Sequence, residues 1–339
     1  MSVDSGGPLK LTTNIESWPL SKPLKISGYT FEFADIVLVT LERDGCVGRG
    51  EASGVYYHGE TAKSIVAQLE HHRVAIELGV SRQALLGILP PGGARNAVDC
   101  ALWDLEAKLF RRPAWKIAEL TQPHPLLTTF TCSADTPEIM AEAARRYEQA
   151  RAIKLKLTGD SLDLERVRQV RFARPDVWLG VDCNQSYTRP SLERILPDLV
   201  ELGIELIEQP LPFDQDFMLD GLSLRSPIPI AADESAQKLD DLARLVGRFN
   251  AVNIKLDKCG GLTEAMAMAR AARLLGLKTM VGSMVGTSLA IGPAFLAGQL
   301  CDIVDLDAPI FLRADRQICV EYLNGTVNCP ESLWGNARP

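Results

Sequence analysis

The segment Trp178-Leu179-Gly180-Val181-Asp182-Cys183-Asn184 begins as an apolar strand and reaches a carboxylate near its end. Two later segments follow the same pattern, since residues 204–207 lead into Glu208 and residues 228–232 lead into Asp233. The three carboxylates are 26 and 25 residues apart, about the length of one strand, one crossover helix and two loops in a (β/α)8 barrel. Parallel strands end at the same mouth of such a barrel, so the carboxylates should converge there. Hard oxygen ligands suit Mg²⁺, and we therefore predict one Mg²⁺ per subunit.

A strand-end carboxylate also has simpler uses. It could cap the next helix or pair with a lysine, and this alternative applies to each of the three residues taken alone. Three on successive strands favour metal binding. Asn184, Gln209 and Glu234 follow the predicted ligands closely in the chain and are candidates for orienting them from a second layer.

Composition and charge limit the possible functions. The chain has 339 residues, of which 46% are hydrophobic and 23% charged, which suits two globular domains. A net charge of −7 argues against nucleic-acid or anionic-membrane partners. We see no transmembrane run and no export signal in residues 1–20, and none of the eight cysteines forms a C-x-x-C pair. We therefore expect reduced thiols and a cytoplasmic location.

Residues 1–122 predict an α+β capping domain that begins with a loose segment, residues 1–10. A strand at residues 36–41, a turn at Asp44-Gly45 and a strand at residues 47–51 predict a hairpin. Helical spacing dominates residues 61–86, and a further amphipathic helix follows Pro90-Pro91-Gly92-Gly93. Two stretches, near residues 22–31 and 53–59, are predicted to form mobile loops.

Residues 123–310 predict a barrel domain, because apolar strands there alternate with amphipathic helices. The eight predicted strands are residues 128–132, 152–157, 177–182, 204–208, 228–232, 251–256, 279–282 and 303–306. An open doubly wound sheet is the alternative, but no G-x-G-x-x-G follows an early strand. The fold class is therefore α/β, a (β/α)8-type barrel with an N-terminal cap. Residues 311–339 are expected to return to the capping domain.

Lysines occur on two of the predicted barrel strands. Lys154 and Lys156 alternate on one strand and should share a face. A lysine inside a barrel is costly without a partner or a catalytic role, and mutual repulsion or a nearby cation would depress its pKa and create a base. Two solvated lysines at a strand end are the alternative.

Lys255 lies four strands after Lys156, so it should face that residue across the mouth. Two bases on opposite sides of one carbon, beside a metal that can hold an enolate, make a site for proton abstraction. Taken alone, Lys255 could instead form a salt bridge with Asp233.

Asp305 and Asp307 end the eighth predicted strand and could together hold a substrate ammonium group, although helix capping is an alternative. The four histidines all precede the second barrel strand, which excludes a histidine base on the later strands; they are His58, His71, His72 and His124.

In these residues and motifs the chain resembles the muconate-lactonising subgroup of the enolase superfamily, and most closely its dipeptide epimerases of the L-Ala-D/L-Glu type. The matching segments are residues 93–104, 154–156, 181–184, 208–210, 232–235, 253–261 and 305–307. The resemblance covers nearly the whole chain. As an ordered set these segments are specific for the superfamily, and the Asp305-Leu306-Asp307 segment narrows the resemblance to enzymes with dipeptide substrates.

The resemblance implies a Mg²⁺-dependent epimerase that inverts the Cα of the C-terminal residue of a dipeptide. Lys156 and Lys255 match its two bases, and Lys154 with Mg²⁺ would stabilise the enediolate. The match also assigns the ion to Asp182, Glu208 and Asp233, and the substrate ammonium to Asp305 and Asp307. The capping domain would close over the site and select the substrate side chain through the two loops near residues 22–31 and 53–59. We expect no partners beyond the dipeptide and further copies of the chain in a homo-oligomer.

One departure concerns the substrate side chain. Enzymes that act on Ala-Glu usually present an arginine in the first specificity loop, whereas residues 27–31 contain none, and Lys22 or Lys25 would lack its bidentate grip. We therefore hypothesise an apolar or aromatic second residue. The remaining candidates for substrate contact lie in the two loops and at strand ends, and are Tyr29, Thr30, Tyr56, Thr131, Ser283 and Met284.

Three other functions remain open. Within the superfamily, a Lys/Lys cycloisomerase or an o-succinylbenzoate synthase is the alternative, although their substrates carry no ammonium for Asp305 and Asp307. A Schiff-base aldolase could use Lys156 or Lys255 without a metal. A non-catalytic barrel that serves as a binding protein is also possible.

Overall fold

The computed structural model describes residues 8–26 and 28–338. The predicted loose start at residues 1–7, the Ser27 position of the first predicted loop, and Pro339 lie outside the described residues. Within them, no helix combines the length and the apolar character needed to cross a membrane.

The N-terminal part is built on an antiparallel sheet of β1 (Lys10–Ile26), β2 (Tyr29–Arg43) and β3 (Cys46–Ser53), in that order. The predicted hairpin is confirmed, with Asp44 and Gly45 both at positive φ in the turn. The long strand β1 was not predicted. It carries two prolines, and its register with β2 shifts between Pro19 and Leu24, as expected for an edge strand that contains proline.

The first predicted loop differs from expectation. Tyr29, Thr30 and Phe31 belong to β2 and pair with Ile26, Lys25 and Leu24 of β1. Alternating Tyr, Thr and Phe is a common strand composition, and the flanking Gly28 made the segment look irregular. The second predicted loop contains a 3₁₀ turn, Tyr56–His58.

Five helices follow the sheet: α1 (Ala62–His71), α2 (Arg73–Glu77), α3 (Arg82–Ile88), α4 (Gly93–Leu109) and α5 (Ala114–Ile117). Helix α4 is buried along most of its length and packs on β3. The approach is so close that a Cβ at Gly50 would lie 2.0 Å from the carbonyl oxygen of Ala97. Glycine in β3 therefore permits the contact between helix and sheet.

All eight predicted barrel strands are present and parallel: β5 (Phe130–Cys132), β6 (Ala152–Lys156), β7 (Trp178–Asp182), β8 (Leu206–Glu208), β9 (Ile230–Ala232), β10 (Ala251–Lys255), β11 (Lys278–Gly282) and β12 (Ile303–Asp305). They are preceded by the short strand β4 (Leu126–Leu127). The first and last strands of the barrel are joined where Thr129 N donates to Val304 O at 3.0 Å. The result is a nearly closed parallel barrel, as predicted.

The helices of this part are α6 (Pro137–Arg146), α7 (Asp163–Ala173), α8 (Arg189–Glu201), α9 (Leu242–Leu245), α10 (Leu256–Cys259), α11 (Leu262–Leu274) and α12 (Ser288–Gly298). A 3₁₀ segment, Phe213–Leu219, takes the place of a helix between β8 and β9. The main apolar core lies between the strands and these helices. A separate buried apolar cluster joins four strands and is formed by Leu206, Ala231, Ala251 and Met280. Polar residues lie instead at the carboxyl ends of several barrel strands, which end at Lys156, Asp182, Glu208, Lys255 and Asp305.

The C-terminal segment contacts both parts of the molecule. Strands β13 (Glu321–Leu323) and β14 (Thr326–Asn328) form an antiparallel sheet with β4. Further along, Trp334 Nε1 donates to Arg49 O on β3 at 3.0 Å, and Arg49 Nη2 donates to Leu333 O at 2.7 Å. This segment therefore links the barrel to the N-terminal sheet.

Candidate active site

The three carboxylates at the ends of β7, β8 and β9 meet at one point. One oxygen from each of Asp182, Glu208 and Asp233 lies within 4.8 Å of the others, and all three side chains are buried. The register explains the convergence, because Asp182 pairs with Glu208 at the same level of neighbouring strands and Asp233 directly follows β9. The strand spacing in the sequence thus produces the predicted cluster.

The cluster is electrostatically demanding. Burial and the charge of Asp182 raise the pKa of Glu208 to about 7. Burial alone would also raise the pKa of Asp233, but Lys255 and Lys258 lower it below its usual range. Three buried carboxylates at such short distances need compensating positive charge.

The donor set fits a divalent cation. All three side chains offer hard oxygen ligands, which Mg²⁺ prefers. Nearby oxygens are also unpartnered within the described residues, since Asn184 Oδ1, Asn253 Oδ1 and Glu234 Oε2 are buried without a hydrogen bond. Buried polar atoms normally have partners, so the surroundings favour an ion with ordered water.

Two lysines face the cluster from opposite sides of the barrel. Lys156 Nζ on β6 lies 2.5 Å from Asp182 Oδ2, and Lys255 Nζ on β10 lies 2.7 Å from Asp233 Oδ2. Three strands separate β6 from β10, and these are the strands that lead into the carboxylates. The opposition expected from the sequence is therefore present.

The third predicted lysine, Lys154, lies within ion-pair distance of three carboxylates. Its Nζ lies 3.3 Å from Glu208 Oε2 and 3.7 Å from Asp182 Oδ2, and it also contacts Asp305. It therefore sits between the carboxylates of β7 and β8 and the end of β12.

Neighbouring carboxylates act against the depression of lysine pKa values that was expected from ammonium repulsion and a cation. Burial by itself lowers the pKa of Lys255, but the charges of Asp233 and Glu208 raise it well above its usual value. The same competition raises the pKa of Lys154. Lys154 and Lys255 are each paired directly with carboxylates, and these pairings outweigh the effect of burial on the pKa.

Lys258 is a site residue that the sequence reasoning missed. Its side chain is fully buried, and Nζ donates to Asp233 Oδ1 at 2.6 Å and to Asn253 O at 2.9 Å. Asp233 is therefore held between two lysines, one on each carboxylate oxygen. Its position three residues after Lys255, about one turn along α10, was the available signal.

Gln209 and Asn184 occupy strained backbone positions beside the ligands, with φ of 33° and 39°. Gln209 Oε1 accepts from the backbone N–H groups of Asp233 (2.9 Å) and Ser235 (3.1 Å). Asn184 donates its backbone N–H to Asp182 and its side-chain amide to Glu234 Oε1 at 3.3 Å. Left-handed geometry in non-glycine residues is uncommon and here accompanies contacts that orient the ligands.

Asp305 and Asp307 differ in their partners. Asp305 accepts from Lys154 and from the Thr129 hydroxyl, and its pKa is lowered because the lysine outweighs the effect of burial. Asp307 accepts the backbone N–H of Thr131 at 2.6 Å, and among the described residues no cationic side chain pairs with it. Burial and the charge of Asp305 raise the pKa of Asp307 to about 7. Asp307 is thus the carboxylate with room for an external cation.

Lys154, Lys156, Lys255, Asp305 and Asp307 line a cavity of about 260 Å³ between the barrel mouth and the N-terminal sheet. Of the predicted substrate contacts, Tyr56, Thr131, Ser283 and Met284 line it. Tyr29 and Thr30 do not line it. The Tyr29 ring instead packs edge-on against the Tyr56 ring, with the ring centroids 4.5 Å apart.

One wall of the cavity is apolar. It includes Leu24, Ile26, Phe31, Phe33 and Phe311. Lys22 and Lys25, which could have replaced the missing arginine of the first loop, do not line the cavity. Lys25 Nζ instead pairs with Asp135 at 3.5 Å. The wall therefore suits an apolar group better than a carboxylate.

Comparisons with known proteins agree with this architecture. Residues 9–118 match the family "Mandelate racemase / muconate lactonizing enzyme, N-terminal domain", and residues 138–311 match "Enolase C-terminal domain-like". The chain is 39% identical over 314 residues to the L-Ala-D/L-Glu epimerase of Escherichia coli (strain K12), covering 92% of this chain and 97% of that protein.

Solved structures are equally similar. An enolase family member from Agrobacterium tumefaciens with homology to dipeptide epimerases, with sodium and L-Ala-L-Glu bound, superposes with a TM-score of 0.91 at 39% identity and covers 97% of this chain and 100% of that one. A dipeptide epimerase from Methylococcus capsulatus, complexed with Mg and L-Arg-D-Lys, has a TM-score of 0.88 at 31% identity over 96% of this chain and 99% of that one. With both of its halves matched by family and by structure, the chain belongs to the mandelate racemase/muconate lactonizing enzyme group of the enolase superfamily.

Proposed function

We propose that the protein is a Mg²⁺-dependent dipeptide epimerase that moves a proton between the two faces of the Cα of the C-terminal residue. The observation that carries this proposal is the placement of Lys156 and Lys255 on opposite sides of one carboxylate cluster. The epimerases of Escherichia coli and Methylococcus capsulatus, to which the chain is similar over most of its length, support it.

Asp182, Glu208 and Asp233 would hold the Mg²⁺. When bound, the ion would supply positive charge that stabilises the substrate carboxylate as negative charge develops on it after proton loss. Lys154 lies beside two of these ligands and adds a fixed positive charge from the protein. Asn184, Gln209 and Glu234 orient the ligands through the contacts described above.

Lys156 and Lys255 exchange the proton. In one direction Lys156 is neutral and removes the proton from one face of Cα, while protonated Lys255 delivers its own proton to the opposite face. The carbon is thereby inverted, and the roles are exchanged for the reverse reaction. Both ammonium groups are at least partly buried at the mouth, so stray solvent is kept from the carbanionic stage.

Asp307, together with Asp305, would bind the α-ammonium group of the dipeptide. A buried carboxylate that lines the cavity and has no cationic partner in the described part of the chain favours a substrate with a free amine. Cycloisomerase and o-succinylbenzoate synthase substrates carry no such group, which argues against these alternatives.

The apolar wall would contact the side chain of the C-terminal residue. Burial against Phe31, Leu24 and Ile26 favours apolar and aromatic side chains by about 25 cal/mol per Å² of apolar surface. We therefore expect dipeptides such as Ala-Leu and Ala-Phe to be better substrates than Ala-Glu.

A dipeptide library incubated in D₂O with Mg²⁺ tests the function by mass spectrometry and chiral analysis. We expect inversion and uptake of one deuterium at the C-terminal Cα of apolar dipeptides, and loss of both on addition of EDTA. Activity that resists EDTA but is trapped by borohydride with substrate would identify a Schiff-base enzyme instead. Absence of deuterium uptake from every dipeptide would leave a binding protein.

We also expect a homo-oligomer in the cytoplasm. Light scattering on the purified protein and fractionation of expressing cells would test these two expectations.

A further inference from the structure

Four segments of the chain meet at Arg316, outside the cluster of lysines and carboxylates. Its guanidinium donates to Glu51 on β3 at 2.8 Å and to the hydroxyl of Thr287 at 2.9 Å. It also pairs with Glu16 on β1 at 2.8 Å and lies 5.1 Å from the ring centroid of Trp18 on the same strand. Arg316 itself belongs to the C-terminal segment. The residue thus joins two strands of the N-terminal sheet to the loop between β11 and α12.

Glu51 is the buried half of this junction. Its side chain is inaccessible to solvent, and it accepts the backbone N–H of Thr287 at 2.7 Å as well as the Thr287 hydroxyl. Thr287 in turn caps α12 by accepting from Leu289 N at 3.2 Å. A carboxylate is favourable at the start of a helix, and its burial here is compensated by Arg316. The contact is tight, because a Cβ at Gly286 would lie 3.0 Å from Glu51 Oε1.

The segment held by this junction forms part of the cavity. Residues 283–285 line it and lead directly to Gly286 and Thr287. Val285 packs against the apolar cluster that also contacts Phe31 and Tyr56. That cluster includes Leu24 and Ile26 of β1, which also line the cavity, and Arg316 reaches the same strand through Glu16. The Glu51–Arg316 ion pair therefore holds the segment at residues 283–287, which packs against the apolar wall of the cavity.

We propose that Glu51 and Arg316 are positioning residues that set the width of the cavity for the side chain of the C-terminal residue, an inference that rests on the proposed function. Neither residue lines the cavity, so both act through the wall at residues 283–285. Their loss widens or loosens that wall, which weakens the binding of bulky side chains. Proton transfer by Lys156 and Lys255 takes place at the opposite, barrel end of the cavity and is affected much less.

The test compares Glu51→Gln, Arg316→Met and Arg316→Lys in the full-length protein with Mg²⁺. Steady-state kinetics on Ala-Leu and Ala-Ala separate KM from kcat, and hydrogen–deuterium exchange reports on residues 283–289. We expect Glu51→Gln and Arg316→Met to lower the Ala-Leu to Ala-Ala ratio of kcat/KM about tenfold through KM, since about three methylene contacts distinguish the two side chains. The kcat should change less than about threefold, and Arg316→Lys should recover most of the ratio.

The exchange measurement does not depend on catalysis. Glu51→Gln keeps an oxygen that can accept from Thr287 N–H but removes the charge that pairs with Arg316, so exchange of that amide should be about tenfold faster. A matched control is Glu106→Gln, because the Arg82–Glu106 pair at 2.9 Å also places an arginine over a tryptophan, Trp103, but is remote from the cavity. This control should alter neither the substrate ratio nor the exchange of residues 283–289.

The proposal is overturned if both substrates lose kcat/KM equally or if exchange at residues 283–289 is unchanged. Should Glu51→Gln fail to fold, the Arg316 variants decide the same question. If the wild-type protein epimerised no dipeptide, the proposed function would fail, and the exchange data alone would decide whether the ion pair holds the wall.

Discussion

The barrel mouth and the N-terminal sheet contribute opposite kinds of surface to the same cavity. The mouth is crowded with charge, and four of its lysines, Lys154, Lys156, Lys255 and Lys258, are each within ion-pair distance of a buried carboxylate. The sheet contributes mainly aliphatic and aromatic side chains, including Leu24 and Phe31. Rigid barrel strands carry the first surface, whereas two strands and a short 3₁₀ turn carry most of the second. This division separates the reacting end of a substrate from the end that identifies it.

The comparison teaches where substitutions should act. Changes at the mouth should affect the reaction on every dipeptide, because the charged groups contact atoms that all dipeptides share. Changes in the sheet should reorder substrates while leaving proton transfer intact. The following predictions test this difference, from the largest effect to the smallest.

Glu208→Gln should have the largest effect. The substitution keeps the shape of the side chain but removes one of three carboxylates and one partner of Lys154, so Mg²⁺ affinity and kcat/KM should each fall at least about 100-fold. Calorimetric titration with Mg²⁺ measures the affinity independently of activity. Glu205→Gln, three residues earlier and exposed, should behave like the wild type. Unchanged Mg²⁺ affinity in Glu208→Gln would remove the ion from this cluster.

Asp307→Asn should come next. It removes a buried carboxylate that has no cationic partner within residues 8–26 and 28–338. KM for dipeptides with a free amine should therefore rise about 10- to 100-fold, as expected for a charge-assisted hydrogen bond of about 1.5–3 kcal/mol. N-acetylated dipeptides provide the control, because they carry no ammonium group and should be affected much less. An equal loss on both substrate types would contradict the assignment.

Phe31→Arg should reorder the substrates. A guanidinium in the apolar wall can grip a carboxylate bidentately, so the Ala-Glu to Ala-Leu ratio of kcat/KM should rise at least about tenfold. Tyr29→Arg is the matched comparison, since Tyr29 lies two residues away on β2 but does not line the cavity. A similar change in the ratio for Tyr29→Arg would support the original expectation that Tyr29 contacts the substrate.

Asp257→Asn should have the smallest effect and concerns stability. Asp257 joins the barrel to the sheet, since its Oδ1 accepts from Ser53 N at 2.9 Å and from Asn96 Nδ2 at 3.0 Å. Burial raises its pKa from 3.8 to about 7, so the stability associated with its protonated form is present below pH 3.8 and is lost as pH rises through 7. Asparagine can accept both bonds without ionising.

The Tm of Asp257→Asn relative to wild type should therefore rise between pH 4 and pH 8, corresponding to roughly 1–4 kcal/mol of unfolding free energy. Thermal denaturation at several pH values measures this difference. A Tm difference that is independent of pH would show that the carboxyl group ionises equally in the folded and unfolded chain.

Much of the mouth could be predicted from the sequence for a simple reason. Barrel strands alternate regularly with helices, and parallel strands place their carboxyl ends together, so the spacing of Asp182, Glu208 and Asp233 is enough to predict their convergence. The two-residue period likewise placed Lys154 and Lys156 on one face. The regular geometry of a parallel barrel therefore made these site residues predictable from the sequence.

The wall resisted prediction because its geometry is irregular. Strand β1 contains Pro19 and Pro23, and its register with β2 shifts between Pro19 and Leu24. This irregularity hides the alternating pattern of a strand. Tyr29 lies two residues before the cavity-lining Phe31 on β2, but its ring packs against Tyr56 and does not line the cavity, which the alternation of a strand does not reveal. The role of Lys258 was missed for a different reason, since it depends on one turn of α10 returning the side chain to Asp233.

The most direct test of the account measures Cα–H exchange on each enantiomer separately. Lys156→Ala and Lys255→Ala are incubated in D₂O with Mg²⁺ and either the L- or the D-configured C-terminal residue. If the two lysines flank the carbon, each variant loses inversion but retains deuterium uptake with one enantiomer only, and the two variants select opposite enantiomers. If both variants exchanged the same enantiomer, or if either still inverted the carbon, two lysines acting on opposite faces could not be the basis of the reaction.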